Sequence, residues 1–287
     1  MDMRKRRGEK AADFCRKFSR NKAAVFGFAV AVVFILAALF ADVICSYDKV
    51  TTQNIVERLQ SPSAAHWFGT DQLGRDIFAR IIHGARVSLG VSFLVVAISV
   101  LVGGIAGSLL ALTGGRIDNL VMRLIDVISC IPGFLLTLAL VAAMGSGIRN
   151  LMLAMCIRMS VGYIRVIRSF VLSVVGQDFI DAARISGMST RKIAVTHVLP
   201  NALGIIIVEA AMSLSNTILS IAALSFLGLG IQPPAPEWGA MLNEGREFIR
   251  TYPHLIIIPG IAIALSALAM NLMGDGVRDA LDPRSGQ

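Results

Sequence analysis

The chain has 287 residues, 55% hydrophobic and 16% charged, with a mean hydropathy of +0.70, which excludes a soluble globular domain and describes an integral membrane protein. The formal net charge of +8 sits largely in Arg4, Lys5, Arg6, Arg7, Lys10, Arg16, Lys17, Arg20 and Lys22, beside a hydrophobic run. There it reads as a cytoplasmic topogenic segment able to touch anionic membrane lipid, and no nucleic acid is expected as a partner.

In chain order, a basic N-terminus (1–22) precedes a first span over 23–46, whose apolar stretch is longer than a signal-peptide core. Residues 47–86 form a polar outer loop. Within it, Gly69 to Gly74 followed by Arg75 outlines a phosphate-binding loop, but lysine is replaced by Arg75 and the magnesium-binding hydroxyl by Asp76. A carboxylate there repels phosphate, so no nucleotide site is expected. The core over 87–275 holds five further spans, about 87–112, 119–144, 148–167, 202–229 and 254–273, followed by a cytoplasmic tail over 276–287. Ser99, Gly103, Gly107 and Ala111 recur every four residues and make a ridge on which another helix can pack closely. Pro132-Gly133 predicts a kink in the third span. Six spans place both termini on the inner side. The expected fold is all-α, with six transmembrane helices and cytoplasmic termini.

Between the fourth and fifth spans lies a polar, basic island, Gln177 to Asn201. Asp178 is expected to N-cap a short helix with Asp181 near the positive end of its dipole, Gly187 to end that helix in a left-handed conformation, and Ser189 to cap a second. Pro200 suits the first turn of the helix that follows. By composition this is an ordinary loop between membrane helices; by its caps and its apolar Phe179, Ile180, Ile185 and Met188 it is a docking surface.

The four cysteines and four histidines are dispersed without metal-ligand or disulfide spacing, so no metal and no catalytic residue is expected. Ionisable groups inside spans are costly and are functional candidates. Arg158 and Glu209 are the candidates for a translocation pathway, as contacts for a peptide's carboxylate and amine or as a pair with each other; buried structural roles are the alternative. Arg123 and Asp126 read as a structural ion pair near the inner end of the third span.

The run Asp181-Ala182-Ala183, then Gly187, then His197-x-Leu199-Pro200 resembles the E-A-A…G…L-P loop of the inner-membrane permease subunits of bacterial ABC importers, with Asp181 in place of the usual glutamate. Gly69 to Asp76, His197 to Asn201, Leu224 to Gly230 and Asn271 to Pro283 look like the C-type subunit of the dipeptide/oligopeptide/nickel branch. Ile221 stands where many relatives carry glutamate, and no role is carried to it. The resemblance implies an importer for di- or oligopeptides, or alternatively for nickel or a nickel chelate. It implies a second homologous permease as heterodimer partner, two cytoplasmic ATP-binding subunits that carry ATP and magnesium, and an extracytoplasmic solute-binding protein. The island would supply coupling helices, with Asp181, Ala182, Ala183, Arg184, Gly187, Ser189, His197, Leu199 and Pro200 as the contact to the ATPase. This chain would bind no cofactor. An ion-coupled secondary carrier is the alternative from another class; it explains the spans and buried charges but not the island.

Overall fold

In lipid every backbone N–H and C=O must be satisfied within the chain, so apolar runs of this length become helices. In the computed structural model the described residues are 13–174 and 177–281, without the side chains of 191, 194 and 199–201. Their principal helices are α1 (Lys22–Leu39), α2 (Ile77–Thr113), α3 (Gly115–Ser129), α4 (Gly133–Met144), α5 (Ile148–Val174), α6 (Asp178–Ile185), α7 (Thr190–Ile193), α8 (Leu199–Phe226), α9 (Trp238–Gly245) and α10 (His254–Leu281). Five of these, α1, α2, α5, α8 and α10, are long and apolar enough to cross a membrane, and α3 with α4 makes a sixth crossing if that bent pair is one span. The expected third span is therefore not one helix: its two halves meet at 89°. Pro132 has no N–H to continue the ladder, and the break falls just before Gly133.

The chain divides into two compact units. The first holds the described residues up to Phe93, Gly145–Ile148 and those from Ala211 onward. Here α1 packs on α10 with little between the backbones: a Cβ on Gly276 would lie 2.2 Å from the Cβ of Ala24, and one on Gly27 would lie 2.8 Å from the carbonyl oxygen of Ala269. Asn21 starts α1 by accepting from the Ala24 N–H at 3.1 Å, and its amide donates to Asp279 on α10 at 3.1 Å. With 37 residues α2 is about 55 Å long, well beyond a hydrocarbon core of about 30 Å. It starts ten residues ahead of the expected span because Asp76 Oδ1 accepts from the Ala79 N–H at 2.8 Å and caps it at Ile77.

That early start carries a buried polar frame. Asp71 accepts from Arg75 Nε at 2.7 Å and from Arg80 Nη1 at 2.6 Å, and Glu244 at the end of α9 accepts from Arg75 Nη2 at 2.9 Å. The resemblance of Gly69–Asp76 to a phosphate loop is thus explained otherwise: Asp71 Oδ1 takes the N–H groups of Leu73 and Arg75, and Thr70 bridges Asp76 in antiparallel fashion. An internal carboxylate holds these donors. Beside them Asp76 Oδ2 lies 2.8 Å from His66 Nδ1.

Glu237, fully buried, caps α9 with both oxygens, accepting from the Gly239 and Ala240 N–H groups at 2.9 and 2.8 Å. The adjoining Trp238 is also fully buried, donates to the Ile81 carbonyl at 3.1 Å and meets Phe34 edge-on at 5.6 Å. Burial pushes the Glu237 carboxyl above its ordinary value, opposed by the backbone donors of Gly239 and Ala240 and by Ser225 and Ser88. A raised folded-state pKa means that the folded chain holds a proton the unfolded chain has released. The resulting stability is fully present below the ordinary carboxylate pKa and is lost as pH rises through the raised value. The apparent melting temperature of the detergent-solubilised protein should accordingly fall with pH above about 4.3, and Glu237→Gln, which cannot ionise, should flatten that slope. An unchanged slope in the variant counts against this assignment.

The second unit is Leu94–Met144 with Arg149–Ala210. The small-residue ridge of α2 meets α5 here: a Cβ on Gly103 would lie 2.3 Å from the Cβ of Tyr163, and one on Gly107 would lie 2.7 Å from the Ile164 carbonyl oxygen. Two Arg–Asp pairs strap α3 to α5. Arg168 holds both oxygens of Asp118 at 2.6 Å, and Arg165 donates to Asp126 at 2.8 Å and to Ser129 at 3.1 Å. The expected Arg123–Asp126 pair does not form among the described residues: Asp126 pairs with Arg165 of α5, whose guanidinium also donates to Ser129 on the next turn of α3.

Candidate functional site

The Gln177–Asn201 segment folds in the second unit as a short helix, a glycine bend and a second short helix that runs into α8. Gln177, extended at φ −88° and ψ 145°, is the N-cap of α6 and makes no side-chain capping bond. Asp178 is therefore the first helical residue and not the expected cap; it and Asp181 both lie in the first turn, where the helix dipole favours a carboxylate. Spacing then decides what is buried. Ile180 and Ala183, three residues apart on one face, pack with Ile167 and Val171 of α5, Ile193, Val198 and Ala202. Asp181, Ala182 and Arg184 stay exposed, and Arg184 lies 3.6 Å from Asp181 in a solvent-exposed pair worth little to stability.

The helix ends in a Schellman motif. The Met188 N–H donates to the Ala183 carbonyl at 3.2 Å and the Gly187 N–H to the Arg184 carbonyl at 3.0 Å, with Gly187 at φ +76°. A side chain at Gly187 would meet open space, so what the position demands is backbone conformation, not room. Ser189 begins α7: its Oγ accepts from the Lys192 N–H at 3.4 Å and its carbonyl from Ile193 at 3.0 Å. A π-helical turn, Ala194–Val198, follows and carries His197, whose ring lies 6.5 Å from that of Phe179. Leu199 and Pro200 open α8, and their side chains lie outside the described residues.

The outward face is chemically mixed. Ile185 is 88% exposed and Phe179 37%, beside Asp181, Arg184 and the exposed Lys192. A scaffold anchored by Ile180 and Ala183 that presents an exposed apolar tip ringed by both charges suits mechanical contact with another protein. Of the apolar residues in this segment, the three-residue spacing of Ile180 and Ala183 is the sequence signal for an inward face.

The two pathway candidates are not joined. Arg158 on α5 and Glu209 on α8 are both partly buried, and no ion pair links them among the described residues. The Nε of Arg158 is sealed from solvent without an acceptor.

A family profile described as binding-protein-dependent transport system inner membrane component matches residues 99–287, and one described as the N-terminal TM domain of oligopeptide transport permease C matches residues 11–62. A dipeptide transport system permease protein of Alkalihalophilus pseudofirmus is 43% identical over 94% of this chain and 88% of its own length. A glutathione transport system permease protein of Escherichia coli is 42% identical over 95% of this chain and 90% of its own. A di/tripeptide transport system permease protein of Pseudomonas aeruginosa is 40% identical over 95% and 91%.

Proposed function

Because the chain belongs to the family of binding-protein-dependent transport system inner membrane components, we propose that it is the permease half through which a bacterial ABC importer passes di- or oligopeptides across the cytoplasmic membrane. The observation that carries the substrate class is identity of 40 to 43% over more than nine tenths of the chain to permeases named for dipeptides and di/tripeptides. A glutathione permease is similarly close, and glutathione is itself a small peptide. These names favour peptides over the nickel alternative. Family membership replaces the secondary-carrier alternative, since the family's members work with a binding protein.

In this reading both termini are cytoplasmic, the bent pair α3–α4 is the third of six crossings, and the α6–α7 segment faces the cytoplasm. The basic residues of the N-terminus and of the 177–201 segment support that orientation. The segment is the coupling site. Asp181, Ala182, Ala183, Arg184, Gly187 and Ser189 shape or line its contact with one of two ATP-binding subunits, His197 braces Phe179, and Leu199-Pro200 hands the contact to α8. ATP and magnesium belong to those subunits, and this chain binds neither. A second, homologous permease completes the pathway. The loops that hold Asp71 and Glu244 face an extracytoplasmic solute-binding protein.

Purifying the tagged chain in mild detergent from its native membrane tests this. A second permease and two ATPases should co-purify, and the complex reconstituted with its binding protein should accumulate a dipeptide only with ATP. Uptake by the isolated chain, without ATP, would overturn the reading.

A further inference from the structure

We propose that Arg158, backed by the first turn of α4, is a binding site for the carboxylate of the transported substrate. This rests on the peptide-importer reading and deepens it. Arg158 is the eleventh of the 27 residues of α5, about 15 Å from the start of a helix about 40 Å long, and so lies deep within the span. The two other arginines on the inner half of that helix differ from it in one respect: Arg165 and Arg168 are neutralised by Asp126 and Asp118, whereas no carboxylate pairs with Arg158 among the described residues. Its Nε is buried with no acceptor. An unpaired guanidinium at that depth is costly, and an anion that arrives beside it offsets that cost.

A second feature, on a different element, points to the same ligand. The guanidinium presses on Gly133, the first residue of α4: a Cβ there would lie 3.1 Å from Arg158 Cδ and 3.2 Å from Nη1. Helix α4 starts abruptly after the break, and the Leu136 N–H is the first to find an acceptor, the Pro132 carbonyl at 3.0 Å. The first-turn N–H groups ahead of it lack intrahelical acceptors, and they carry the positive end of the helix dipole. A guanidinium against the positive end of a helix repels it unless an anion lies between them. A carboxylate satisfies both, since Arg offers a planar fork and a discontinuous membrane helix offers its N-terminus. Dipeptides, tripeptides and glutathione all carry a free carboxylate. Glycine at 133 lets the two donors approach.

The test uses the reconstituted complex with its binding protein, with Ala-Ala and its C-terminal amide as probes. Arg158→Met should keep assembly and basal ATP hydrolysis but lower Ala-Ala uptake about tenfold or more, with partial recovery in Arg158→Lys, which restores the charge without the fork. The advantage of the acid over the amide should shrink by a similar factor; selection by the binding protein is common to all variants and cancels in that ratio. Unchanged Ala-Ala uptake in Arg158→Met, acid and amide falling together, or Met and Lys variants equally impaired would each overturn the inference. Loss of the second permease from the Arg158→Met preparation would also overturn it, by assigning the missing carboxylate to that subunit. Absence of Ala-Ala uptake in the wild type would instead defeat the peptide reading on which it rests.

Discussion

Ile185→Lys is expected to leave membrane insertion and thermal stability unchanged while lowering both recovery of the ATPase subunits and substrate-stimulated ATP hydrolysis by at least about tenfold. The reasoning begins with burial. Ile185 is 88% exposed at the last position of α6, so its replacement removes almost no apolar surface from the folded chain. Lysine is a good helix former and its cation suits a helix C-terminus, so the local structure survives. What changes is the partner's side. An apolar tip that fills a groove is the sort of residue whose loss costs about 2 kcal/mol or more at an interface, roughly thirtyfold in affinity, and a lysine must also bury or withdraw its charge. Ile180→Ala is the contrasting control. Ile180 is fully buried under the same helix, and its truncation should cost about 2–5 kcal/mol of stability and disturb α6 from within. If Ile185→Lys retained full ATPase recovery and stimulation, the coupling role of this segment would be lost, however well its helices are built.

How far the sequence reveals such features depends on whether the physics behind them is local. The long helices are legible because a bilayer demands about 20 apolar residues in succession, and Pro132 marks a break because it has no N–H to offer. The 89° at that break is not legible, for a missing N–H marks where a helix can break and not by how much it turns. Gly187 is legible as a bend, since the Schellman motif needs a left-handed residue and glycine provides it cheaply. The start of α6 is legible only to within a residue: Gln177 and Asp178 both precede the apolar pattern, and the extended Gln177, not Asp178, is the cap. Ion-pair partners are the least legible. Asp126 pairs with Arg165, 39 residues away, and not with Arg123 nearby on its own helix. No periodicity encodes such a choice. Only the candidates are legible: a charge inside a span demands a partner, and where Arg158 has no carboxylate among the described residues the demand itself is informative.

The same logic gives the second large effect, in the frame around Asp71. This carboxylate, 5% exposed, holds Arg75 Nε, Arg80 Nη1 and two backbone N–H groups, while Glu244 receives Arg75 and lies 2.7 Å from Arg80 Nη2. Two buried cations face two anions, so the formal charge balances. Part of the frame is local, Asp71 and Arg75 being four residues apart, but Glu244 arrives 169 residues later in the chain and ties the first long loop to α9. Removing Asp71 strands two guanidiniums, each 2% exposed or less, on a single carboxylate. Asp71→Ala should therefore destabilise the first unit by about 3–5 kcal/mol, since breaking a buried pair leaves an uncompensated charge. The double variant Asp71→Asn with Arg80→Met removes one charge of each sign, keeps an acceptor for the backbone donors and should recover much of that loss, because a balanced frame tolerates what an unbalanced one does not. Thermal unfolding of the purified complex measures both. Strict additivity of the Asp71 and Arg80 substitutions would show that the charges do not act together. Coupling between them would mean that Asp71 and Glu244, 173 residues apart in the chain, share one charge balance that ties the first long loop to α9.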